Sequence, residues 1–231
     1  MCYINFRSAI FRSSILQVNY LIDEAVNTGK GSNAIISMLH HFFETYGLGE
    51  SSLQLHADNC SGQNKNRYML EYLTWRVLAG LHDEVELSFL IVGHTKFSPD
   101  WCFGLFKRAF KRTKVGCLDD IASVCESSSK VNFAQLVGKQ DGTPIVKTYD
   151  WGTYFRPFFK ADPFKGIKKW HHLRFTKTKP GVCLVQTSPN SAVKELQVLR
   201  ETSWKPSPFQ LPPLIKPEGL PAERKNISMK K

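Results

Sequence analysis

Along residues 15–22, Leu16, Val18, Tyr20 and Ile22 alternate with Gln17 and Asn19, a period of two that marks a strand with one buried face. Residues 2–11 read as another strand, and with only Arg12, Ser13 and Ser14 between the two, an antiparallel pair is the simplest arrangement. The period then lengthens. Ile35, Leu39, Phe42, Phe43 and Tyr46 fall on one side of a helix, with Ser32 placed to cap its start and Gly47 to end it. Residues 53–57 are the next strand, and Tyr72, Leu73, Val77 and Leu78 are the inner positions of a helix over 64–78. A strand over 85–92 follows. Ser98, Pro99 and Asp100 then read as N-cap, first-turn proline and first-turn acid of a helix running to about Arg112.

Beyond residue 115 the patterns shorten: a helix over 118–125, strands over 133–137 and 145–149, and a hairpin of 170–175 with 182–186 around Thr178-Lys179-Pro180-Gly181. From Trp204 onward, prolines at 206, 208, 212, 213, 217 and 221 predict an extended, flexible tail. Three stretches result: a core over 1–115, a small basic α+β appendage over 116–200 and the Pro-rich tail over 201–231.

Charge changes the picture more than composition does. Residues 1–100 carry 7 Lys/Arg against 10 Asp/Glu, whereas 101–231 carry 24 against 10, so the basic half is the expected polyanion face. Lys107, Arg108, Lys111 and Arg112 load the end of one helix beyond what its dipole needs. Residues 156–179 hold eight Lys/Arg and one acid, among them Lys168 and Lys169, interleaved with rings including Phe159, Phe164 and Trp170. Phosphate contacts with stacking rings make a nucleic-acid surface, and a solvated basic surface over a small aromatic core is the alternative. No run nears the roughly 18 apolar residues of a membrane span, and no cleavable leader opens the chain, which implies a soluble intracellular protein. Six scattered cysteines offer neither zinc spacing nor a disulfide framework, and the glycines form no nucleotide fingerprint, so no small-molecule cofactor is expected.

Two acids stand out by position. Asp58 follows the strand over 53–57 and Asp100 follows the strand over 85–92, which places both where α/β enzymes put their chemistry. Paired carboxylates there suit Mg²⁺ or Mn²⁺ and phosphoryl transfer. Each also has a local reading: Asp58 with Asn59 as a strand-to-helix turn, Asp100 as a complement to a helix dipole. His94, near Asp100 in sequence, is a secondary candidate for a proton shuttle or phosphate contact.

The motifs H-A-D-N-C-S-G-Q-N-K-N, Y-L-x-W-R-V-L-x-G-L-H and G-H-T-K-F-S-P-D-W-C-F-G-L together resemble a transposon-associated domain family of animal genomes, which itself looks like a DDE-type transposase or a derivative. The resemblance covers roughly residues 14–200. It implies a ribonuclease-H-like mixed sheet flanked by helices, as in integrases, with Asp58 and Asp100 as the second and third carboxylates. The first would lie on a strand preceding the opening hairpin, so the chain reads as incomplete at its first strand and its N-terminus. The implied function is metal-dependent processing of DNA by a nuclear protein. A catalytically silent nucleic-acid-binding derivative and an interaction scaffold are the alternatives.

Overall fold

The computed structural model describes residues 16–89, 98–139 and 141–219, so the first predicted strand, the end of the strand after residue 89 and His94 lie outside the described residues. The elements run β1 (Gln17–Leu21), α1 (Ser32–Tyr46), β2 (Ser52–Ala57), α2 (Arg67–Leu78), β3 (Glu84–Phe89), α3 (Ser98–Phe110), α4 (Leu118–Ser127), β4 (Asn132–Leu136), β5 (Thr148–Tyr149), α5 (Trp151–Phe155), β6 (His172–Thr176), β7 (Val182–Gln186), β8 (Lys194–Gln197) and β9 (Leu214–Ile215). The fold is mixed α/β around a mixed central sheet. That sheet has the order β2-β3-β6-β7-β8, with β2 and β3 parallel and each later neighbour antiparallel. Two smaller sheets pair β1 with β4 in parallel and β5 with β9 antiparallel.

Local sequence accounts for the helices closest to the site. Helix α1 buries Ile35, Leu39, Phe42 and Phe43 and stops at Gly47, where a Cβ would run into the Phe43 carbonyl. Its N-cap is Gly31 rather than Ser32, without a side-chain bond. Helix α2 starts three residues later than its periodicity suggests, because Asn66 takes the N-cap and accepts the Met69 N–H at 3.1 Å. The motif Y-L-x-W-R-V-L-x-G-L-H proves to be packing. Tyr72 and Trp75 are fully buried, and Arg76, 3% exposed, donates to Tyr72 Oη at 3.0 Å and to His82 Nε2 at 3.1 Å over the Phe43 ring.

The expected pairing of the opening strand with residues 2–11 lies outside the described residues. Strand β1 takes β4 as its parallel partner, and both its faces are buried: one on the main core, the other on α3 and α4 through Leu21, Phe106, Val124, Cys125 and Ala134. The polar alternation survives because Asn19, 3% exposed, donates to the Gln17 and Phe133 carbonyls. Strands β1 and β2 share one core, yet among the described residues they are not paired with each other. Residues 116–200 are woven into the same structure, since β4 pairs β1 and β6 extends the sheet from β3. The proline-rich segment is docked as far as β9: Trp204 stacks on Phe158 at 4.1 Å, Pro206 and Pro212 are buried, and β9 pairs β5. Extended proline segments lack the donors for a ladder but offer rigid apolar rings to pack.

Candidate nucleic-acid interface

Because β2 and β3 are parallel neighbours with Ala57 opposite Phe89, both end at one edge of the central sheet. Asp58 leaves β2 at that edge and is exposed. Its Oδ1 accepts the Cys60 N–H at 3.0 Å and Asn64 Nδ2 at 2.8 Å, while the Cys60 carbonyl accepts the N–H groups of Gln63, Asn64 and Lys65. The polar, glycine-containing turn between strand and helix is therefore braced by its own side chains. Asp58 serves this brace with one oxygen.

Two groups at the same edge were not singled out by sequence. Lys65 is only 5% exposed; its Nζ donates to Asn59 Oδ1 at 2.9 Å and sits 4.7 Å from the Phe89 ring centroid, and burial holds its pKa below the ordinary lysine value. His171, just ahead of β6, has Nδ1 buried and without a hydrogen-bond partner among the described residues. Its basicity is lowered by burial and then by the charge of Lys65. Beside it, His172 Nδ1 lies 3.0 Å from Ser88 Oγ on β3. One lysine in a polar run looks like any other, so only the pairing of β2, β3 and β6 reveals this cluster.

The predicted acids stand on different elements. Asp58 stands at the end of the central sheet, whereas Asp100 is exposed in the first turn of α3, which packs over β1 and β4. Among the described residues, no group of three or more His, Cys, Asp or Glu is arranged to hold a metal ion. Asp58 and Asp100 thus do not complete a metal cage with a third described ligand.

The basic residues divide into two sets. Lys107, Arg108, Lys111 and Arg112 are all exposed around the end of α3, and Lys168 and Lys169 are exposed in a 3-10 turn, Ile167–Lys169, just ahead of β6. None of the six forms an ion pair with a described residue. As β6 begins opposite the end of β3, with His172 across from Ser88, Lys168 and Lys169 lie toward the edge that carries Asp58. Trp170 requires a correction. It is 4% exposed, its Nε1 donates to the Lys165 carbonyl at 3.3 Å, and Lys169 Nζ covers the ring at 4.6 Å, so no face is open to a base. Phe159 and Phe164 are buried too, which makes the rings of this stretch a core under a basic surface.

No helix among the described residues is long and apolar enough to cross a membrane. No curated protein and no solved structure matches the chain. Residues 16–192, which contain the parallel pair, the Asp58 loop and both basic sets, match one protein family throughout, and the chain belongs to that family, described as Domain of unknown function (DUF7869).

Proposed function

We propose that this chain is a transposase- or integrase-derived nucleic-acid-processing domain of ribonuclease-H-like architecture, acting on DNA in the nucleus. The observation that carries the reading is the gathering of Asp58, buried Lys65, and exposed Lys168 and Lys169 at the carboxyl edge of a parallel strand pair. Unpaired surface cations neutralise phosphates at little desolvation cost, and the release of condensed counterions drives binding. The crevice beyond the carboxyl ends of parallel strands is where open α/β sheets hold ligands. Asp58 and Asp100 would hold Mg²⁺ or Mn²⁺, which supplies Lewis-acid activation of a phosphate oxygen when bound.

A second reading, DNA binding without cleavage, is favoured by the Asp58 Oδ1 bonds to Cys60 and Asn64, which give that carboxylate a structural task. The two part in a nicking assay on supercoiled plasmid with Mn²⁺. Nuclease action predicts nicking that disappears in both Asp58→Asn and Asp100→Asn. Binding without nicking supports the second reading, and the absence of binding to any nucleic acid contradicts both.

A further inference from the structure

Helix α3 is amphipathic in an unusual sense. Cys102 and Phe106 are 3% and 2% exposed, and Phe103 and Ala109 pack beside them on the second core. Opposite that face, at about 100° per residue, come Trp101, Gly104 and Arg108, with Lys111 just beyond the last helical residue. Trp101 is 62% exposed, although a large ring in water forgoes a burial worth about 2 to 3 kcal/mol. Two turns along the same face lies Arg108, followed by Lys111 and Arg112, all exposed and without an ion pair among the described residues. Between Trp101 and Arg108, Gly104 leaves the surface open, since a Cβ there would meet no described residue within 4 Å.

We infer that the outer face of α3 is a single-strand nucleic-acid site, in which Trp101 stacks on an unpaired base while Arg108, Lys111 and Arg112 hold the phosphates of the same strand. The occupant follows from charge and shape together. A row of unneutralised cations selects a polyanion, and an exposed indole at one end of the row selects a polyanion with accessible π-faces, which a duplex does not offer. Gly104 lets the strand approach the helix backbone between the two contacts. The inference rests on the nucleic-acid reading above and adds to it the strand state of the ligand and the residue that meets a base. Trp170, which the sequence suggests for this role, is buried, whereas Trp101 is the tryptophan turned to solvent.

The test uses the full chain and an oligo-dT probe, alongside a duplex of equal length. Trp75 and Trp151 are fully buried, Trp170 nearly so, and Trp204 is half-buried in its stack on Phe158, so the most solvent-exposed component of tryptophan emission comes chiefly from Trp101. Oligo-dT is expected to quench that component and shield it from acrylamide. Trp101→Ala should weaken oligo-dT binding about 5- to 100-fold while leaving duplex binding within about twofold, and Trp101→Phe should retain most of the affinity but lose the quench. Because the side chain is exposed, both variants are expected to fold. Unchanged oligo-dT affinity in Trp101→Ala, with duplex binding intact, overturns this inference alone. A variant that instead loses concentration-dependent self-association marks the face as a contact between copies and overturns it too. No binding to either probe removes the nucleic-acid reading with it.

Discussion

Glu71 and His40 are both buried, and burial moves their proton equilibria in opposite stability directions. Desolvation pushes the Glu71 carboxyl up to about 7 despite Arg67 at 2.8 Å, and pushes His40 down to about 4, with Arg76 adding to the effect. A raised carboxyl favours the folded state while it is protonated, so the Glu71 contribution is present below about pH 4.5 and is lost as pH rises to about 7. A depressed imidazole acts the other way: its contribution is present above about pH 6.5 and is lost as pH falls toward 4. Each amounts to about 3 kcal/mol, and they nearly cancel between pH 4.5 and 6.5. Glu71→Gln should therefore unmask the His40 slope, so that thermal stability drops more steeply than in the parent as pH falls from 6.5 to 4.5. Parallel melting curves in the two proteins would contradict this assignment. Residue chemistry of this kind was only partly legible in the sequence. The exposure of Asp58, Lys107 and Lys168 followed from their charge, but Trp170 and Lys65 carry ordinary sequence neighbourhoods and are buried.

Periodicity placed α1 to α4 because each keeps its own record of burial, whereas the five-residue α5 is too short to show a period. Helix α2 shows this in its first turn, where Asn66 closes the ladder by accepting the Met69 N–H. Replacing Asn66 by Ala should cost about 1 kcal/mol in denaturant unfolding with the slope on denaturant unchanged, and a loss of several kcal/mol would mean that Asn66 does more than cap. The β6–β7 hairpin was equally readable, since turn residues 178–181 sit between two alternating runs. What could not be read was the second face of β1. Its polar positions Gln17 and Asn19 imply solvent, but α3 and α4 cover them and the Asn19 amide nitrogen donates to two buried carbonyls instead. The segment after Trp204 misled for the opposite reason, as proline content reports extension and says nothing of docking.

The organisation of the whole molecule rests on pairings between distant stretches: β1 with β4 across more than a hundred residues, and β3 with β6 across more than eighty. Such contacts leave no local signature, which is why the basic C-terminal half reads as an appendage although it completes the sheet and brings Lys168 and Lys169 toward the edge that carries Asp58. In the proposed function, this edge and the end of α3 both bind phosphates. The most direct test of this is the dependence of DNA affinity on salt. Each neutralised phosphate contributes about −0.9 to the slope of log K against log salt concentration. The unmodified chain should show a steep negative slope, and the double change Lys168→Gln with Lys169→Gln should flatten it by about one to two units, equally on unrelated sequences, because phosphate contacts carry no base information. A slope near zero for the unmodified chain would contradict the account.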